Sequence, residues 1–212
     1  MKPIIVMILA LLPAALFSQD NDEFKTIFSG REMGGYGAFS LGYTIVDTSQ
    51  SAMFSGRGGV ILGHTLALGI GGSSFITEYQ YNSNLNLKGS MAGGYGGFFL
   101  ELIIAGKSPV HLSVPCLFGV GGAAYTTWVN EGEDYERINY VEDVTTFLII
   151  EPGAELEFNL TKHFRMAAFV NYRLTSNLNL TATGSGGETI KLASPSALNG
   201  YSAGLIFKFG IF

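Results

Sequence analysis

The sequence predicts an all-β chain, an eight-stranded antiparallel up-and-down transmembrane β-barrel that follows a cleaved signal peptide. Three observations carry this expectation. Apolar and polar residues alternate along much of the chain, and side chains of a strand point to opposite faces in turn. The mean hydropathy is positive, +0.30, yet past residue 19 no run of about 18 apolar residues offers a membrane-spanning helix. Connections between the alternating segments are short on one side and mostly long on the other, as in barrels of the outer membrane.

The N-terminus reads as a targeting segment. Lys2 is followed by an apolar run, 4–12, too short to span a bilayer, and then by Pro13, Ala14, Ala15 and Ser18. The expected division is a signal peptide over 1–18, cleaved near Ser18, a short polar tail over 19–31, and a barrel over 32–212. No cysteine follows the apolar run to take a lipid anchor.

The hairpin over 146–174 shows the pattern best. Leu148, Ile150, Ala154, Leu156 and Phe158 share one parity, and Glu151, Glu155 and Glu157 the other. Past a short turn, Phe164, Met166, Ala168, Val170, Tyr172 and Leu174 stand against Arg165, Asn171 and Arg173. Taken in order, a first strand over 33–46 sets Phe39, Leu41, Tyr43 and Ile45 against Tyr36, Ala38, Ser40 and Thr44, before a loop at 47–51. A second, over 53–62, puts Phe54, Val60 and Leu62 on the apolar side and Arg57 opposite. After a tight turn at 63–65, a third over 66–79 shows Leu66, Leu68 and Ile70, with an Asn-rich loop at 80–88 behind it. The fourth, 90–104, carries Phe98, Leu100, Leu102 and Ile104 against Glu101. The fifth, 110–127, has Val110, Leu112, Val114, Cys116, Phe118 and Val120 in step. Long loops are expected at 128–144 and 176–198, and a last strand at 200–212 aligns Tyr201, Ala203, Leu205, Phe207, Phe209 and Ile211. Pro115 and Pro152 fall inside strands, where each removes a ladder hydrogen bond, so bulges are expected there.

Composition narrows the choices. Charged residues are 14% of the chain, against about a quarter in soluble domains. The net charge of −5 and the lack of a basic stripe argue against nucleic acid as a partner. A single cysteine, Cys116, rules out a disulfide framework and reads as a small apolar residue. A secreted soluble ligand-binding barrel would alternate in the same way with its faces reversed. Its outer face would be rich in long polar side chains, whereas here the polar face is mainly Gly, Ala and Ser with a few charges. Small residues suit the narrow interior of about eight strands. Tyr43, Phe54 and Trp128 near the loop ends, and Phe158, Phe164, Phe207 and Phe209 near the turn ends, would form interfacial belts.

The candidate site is a lumen charge network. Parity turns Glu101, Glu151, Glu155 and Glu157 inward together with Arg57, Arg165, Arg173 and Lys208. A basic residue facing lipid at mid-depth would cost about 2–4 kcal/mol, and an unpaired charge in a crowded interior about 3–5 kcal/mol. Equal numbers of acids and bases avoid both, as a salt-bridged plug; the alternative is a narrow pore for ions or small solutes. His64, His111 and His163 fall at or beside the short turns and read as turn or interface residues, without metal-ligand spacing. Catalytic, cofactor and metal sites are therefore not expected, and a lipid-modifying enzyme is a remote alternative. Glu131, Glu133, Asp134 and Glu136 read as a solvated acidic loop rather than a cation site. The glycine runs at 69–72 and 119–122 precede no helix, so they do not cradle phosphate.

The leader, the alternating strands, the aromatic end F-K-F-G-I-F and the Gly-rich first hairpin, G-G-Y-G-A-F-S-L-G-Y-T with G-R-G-G-V-I-L-G-H, resemble small outer-membrane β-barrels of Gram-negative bacteria of the OmpA/OmpX type. The resemblance implies contact with outer-membrane lipid and recognition by the barrel-assembly machinery through the C-terminal strand. In such proteins a terminal aromatic on the lipid-facing parity helps recognition; Phe212 lies on the other parity from Phe207 and Phe209. The expected role is structural or adhesive, through the outer loops 128–144 and 176–198, whose ligand the sequence leaves open.

Overall fold

The computed structural model describes residues 33–47, 49–82, 87–131, 136–183 and 189–212. The expected signal peptide and tail lie outside the described residues. Eight long strands, β1 (Met33–Val46), β2 (Ser49–Leu62), β3 (Leu66–Thr77), β5 (Leu87–Ile104), β6 (Val110–Glu131), β7 (Glu136–Asn159), β8 (Phe164–Thr175) and β11 (Gly200–Ile211), are joined by three short ones: β4 (Gln80–Asn82), β9 (Thr181–Thr183) and β10 (Thr189–Lys191). Each long strand pairs antiparallel with its neighbour in the chain, β11 closes on β1, and β3 pairs with β5. This is a closed eight-stranded up-and-down barrel, which leaves no strand edge in the wall.

The wall is apolar on the outside. Phe39, Leu41, Ile45, Phe98, Leu100, Leu102, Leu148, Val170 and Phe209 are exposed, and Phe98 is 74% accessible. Near the turn ends Phe39 stacks on Phe207 at 5.1 Å and Phe164 on Phe209 at 4.8 Å. Charged and small residues on the same strands point inward. That inversion of a soluble barrel makes the fold a transmembrane one.

Several expectations change. The connection between β1 and β2 is only residues 47–48, with Asp47 in the left-handed region at φ 56°. Most of the expected loop 128–144 is strand, because β6 and β7 stay paired out to Glu131 and Glu136. Backbone pairing needs no apolar side chain, so the polar composition there hid it. Part of the Asn-rich stretch is also strand, β4 pairing with the start of β5. Leu62 is buried rather than outward-facing; it is the last strand residue before the turn where Gly63 and His64 both take positive φ, and alternation ends there.

The prolines produce no bulge. Register runs unshifted from Ser113↔Glu155 to Cys116↔Pro152; Pro115 falls in the gap of the β6–β7 ladder between those pairs, and Pro152 in the gap of the β7–β8 ladder between Ile150↔Leu174 and Gly153↔Asn171. The register shift lies instead at Tyr125/Thr126, where Glu142 is the extra residue on β7 and accepts a hydrogen bond from Thr127 Oγ1.

Residues 176–183 and 189–199 are the largest departure. They fold across the mouth, and Leu178, Leu180, Ala182, Leu192, Ala197 and Leu198 are buried against Val46, Phe75, Met91, Tyr95, Phe147 and Ile149. Asp47 N–H donates to Ala197 O at 2.6 Å, Leu192 N–H to Leu180 O at 3.0 Å, and Thr181 N–H to Asp143 Oδ2 at 2.8 Å. This segment, hereafter the cap, packs as core and is not a solvated loop.

Candidate functional site

The interior polar groups stand on facing walls. Around an eight-strand ring, a strand four places away is opposite. Arg57 on β2 is therefore opposite Glu155 on β7, and Lys208 on β11 is opposite Glu101 on β5. Arg57 Nη2 lies 2.6 Å from Glu155 Oε2 and 3.5 Å from Glu101 Oε2. Lys208 Nζ lies 2.7 Å from Glu101 Oε1 and 2.8 Å from Glu155 Oε2, and also donates to Glu157 Oε1. Arg165 Nη1 sits 3.4 Å from Glu157 Oε2. These contacts brace the lumen from wall to wall.

The geometry of the cluster follows from register. Lys208 and Arg165 are direct cross-strand partners, as are His111 and Glu157. Two cations side by side would repel; the three acids of β5 and β7 converge on them from across the lumen. The carboxylate oxygens of Glu101, Glu155 and Glu157 lie within 4.8 Å of one another, a metal-like spacing that the Lys208 ammonium fills. Its three N–H donors suit three carboxylates. The arrangement is cationic bracing.

Glu151 and Arg173 stand apart from these six. Asn171 Nδ2 donates to Glu151 Oε1 at 3.0 Å. Arg173, fully buried, donates through Nε to Leu198 O at 2.6 Å and through Nη2 to Thr44 Oγ1 at 3.2 Å. Its guanidinium lies 5.5 Å from the Phe75 ring, on the opposite wall. It ties the base of the cap to the barrel. Between the two groups a cavity of about 60 Å³ is lined by Ser40, Arg57, Glu151, Glu155, Phe169 and Asn171. Arg57 Nε, Glu155 Oε1 and Asn171 Oδ1 have no protein partner, and the space takes a few waters at about 10–15 Å³ each.

Some participants escaped the sequence reading. His111 is buried, not a turn residue: its Nε2 lies 3.1 Å from Glu157 Oε2. It is the second residue of β6, and its inward parity with Ser113 was the available signal. Ser113 Oγ donates to Glu157 Oε1 and Tyr36 O–H to Glu101 Oε2. Phe212 turns inward over Arg165, with the guanidinium 3.9 Å from the ring centre. His64 sits in the β2–β3 turn, and His163 is exposed with Nδ1 3.1 Å from Gly210 O. Cys116 is half-buried on the outward parity. Of the acidic loop, Glu131 and Glu136 pair through their backbones, while Glu133 and Asp134 lie outside the described residues, as does the Trp128 side chain.

No protein-family model and no curated protein matches the sequence. Among solved structures, Neisserial surface protein A is similar with 9% identity and a TM-score of 0.46, over 84% of this chain and 96% of that one. The attachment invasion locus protein Ail of Yersinia pestis, in complex with a heparin analogue, is similar with 12% identity and a TM-score of 0.44, over 85% and 99%. The N-terminal β-barrel domain of Pseudomonas aeruginosa OprF is similar with 13% identity and a TM-score of 0.40, over 86% and 100%.

Proposed function

We propose that the chain is exported, cleaved near Ser18, and assembled into the outer membrane by the barrel-assembly machinery through its C-terminal strand. There it works as a structural or adhesive barrel, with a charge-paired and occluded lumen and its outer connections as the working surface. The observation that carries this reading is the filled interior. Ionic braces cross the lumen near the turns, and apolar side chains of the cap fill the mouth. Such a lumen gives an ion no continuous water path, which disfavours the narrow-pore reading. The lipid-modifying enzyme finds no support at the mouth, since His64 and His163 lie at the turn end and His111 is buried against Glu157. The secreted soluble barrel is disfavoured by the apolar exterior.

Reconstitution into a planar bilayer tests the reading. The expected record is flat; steady single-channel conductance steps would overturn the occluded lumen. The mass of the mature protein tests cleavage, and protease digestion of intact cells tests whether the mouth faces outward, with cutting at Lys191 expected.

A further inference from the structure

Between the cap and the barrel rim lies a polar cleft of about 230 Å³. Asp47 lines it from the β1–β2 connection, Ser49 from the start of β2, Gln80 and Tyr81 from β4, Tyr125 from β6, and Leu192 from the cap. Its cap side is fixed by defined bonds: Asp47 N–H to Ala197 O, and Ser194 Oγ–H to Asp47 Oδ1 at 3.2 Å. On the barrel side the buried Thr77 and Ser90 hydroxyls lie 3.3 Å apart. A Cβ at Gly89 would stand 2.5 Å from Tyr125 Cζ, so the missing side chain is what lets that ring lie against β5.

The lining combines a carboxylate, an amide, hydroxyls and phenol rings, with no cation among these residues. Asp47 is the one charged residue of the lining, so an anionic ligand would meet it; Lys88, paired with Tyr81 across β4 and β5, and Lys191, next to Leu192, stand outside the lining. A neutral polyol fits instead, because its hydroxyls can donate to the carboxylate and bond the amide. Tyr81, 61% exposed, offers a ring face to the C–H side of a sugar. The volume falls below the roughly 300–1,000 Å³ of drug-sized sites, which suits a single ring. We propose that this cleft binds one neutral pyranose, with Tyr81 stacked on it and Asp47 and Gln80 taking its hydroxyls, whether the sugar is free or ends a glycan chain.

This inference rests on the adhesive reading above for its biological meaning, but its chemistry is testable without it. The full barrel, folded in an amine-oxide detergent that carries no sugar, is titrated with methyl glycosides of neutral hexoses and N-acetylhexosamines. Binding is followed by calorimetry and by saturation-transfer NMR. At least one glycoside is expected to bind saturably. Tyr81→Ala and Asp47→Asn should each weaken it at least tenfold while heat-modifiable gel migration stays unchanged, and Gly89→Ala, which displaces Tyr125, should weaken it as well. Saturable binding by none of the glycosides, or binding untouched by both Tyr81→Ala and Asp47→Asn, overturns the proposal. Binding in micelles without binding to the outside of intact cells would sink the outward orientation and leave the cleft standing. Competition by core oligosaccharide from the cell's own outer-leaflet glycolipid would assign the ligand to its own membrane; failure to compete would assign it to a foreign glycan.

Discussion

Replacing Lys208 by Met keeps the length of the side chain and removes its charge. The ammonium serves three carboxylates, so the loss can be followed partner by partner. Glu155 keeps Arg57 at 2.6 Å. Glu157 keeps His111 at 3.1 Å and Arg165 at 3.4 Å. Glu101 keeps Arg57 at 3.5 Å and the Tyr36 hydroxyl. Two cations then face three buried acids, and one negative charge is left without compensation in the interior. Breaking a buried ionic contact in this way costs about 3–5 kcal/mol. The assay is urea unfolding in phospholipid vesicles, read by the gel shift between folded and unfolded barrel. Adding Glu101→Gln removes the surplus charge, so the double variant should recover more than about 1 kcal/mol of the loss, a coupling that independent sites do not show. If Lys208→Met folds and unfolds within about 1 kcal/mol of the parent, or if the two changes simply add, the bracing argument is wrong.

Three further outcomes are expected. In Lys208→Met the three carboxylates stay within 4.8 Å of one another, a spacing that calcium spans with oxygen contacts of about 2.3–2.6 Å; calcium present during folding should restore part of the stability, and a chelator present during folding should abolish that gain. Arg173→Leu removes the bond to Leu198 O, so trypsin should cut the cap at the exposed Lys191 at least tenfold faster; an unchanged rate would show that the apolar contacts alone hold the cap. Gly37→Ala should stabilise by about 0.5–1 kcal/mol, since no atom lies within 4 Å of the added carbon, whereas at Gly97 the same carbon would stand 2.8 Å from the Phe118 carbonyl carbon and the variant should unfold at lower urea.

Alternation alone made the barrel and its faces legible. Arg57, Glu101 and Lys208 each sit among residues whose parity is plain, and a two-residue period leaves no choice of side. Parity says nothing about depth or about which wall faces which. It therefore could not separate Glu151 and Arg173, with their neutral partners, from the six charges that meet near the turns. It also failed at segment ends. Leu62 loses its outward place at a tight turn, and His111, next to another turn, read as a turn or interface residue although it is buried. The cap was missed for a different reason. Its Asn, Ser, Thr and Gly content suggested solvent, but Leu178 and Leu180 alternate with asparagines, a two-residue period too short to stand out. The surface that buries them is assembled from β1, β3, β5, β6 and β7, strands brought together only by closure of the barrel.

The inward packing is split between two chemistries at two depths, electrostatic near the turns and apolar at the mouth. For a genetic screen this has a practical meaning. A lesion that empties one level leaves the other in place, so leaky alleles should arise as pairs of changes and almost never singly. A library scored for antibiotic entry would need to combine damage to Lys208 or Glu155 with damage to Leu180 or Leu198 before permeability rose.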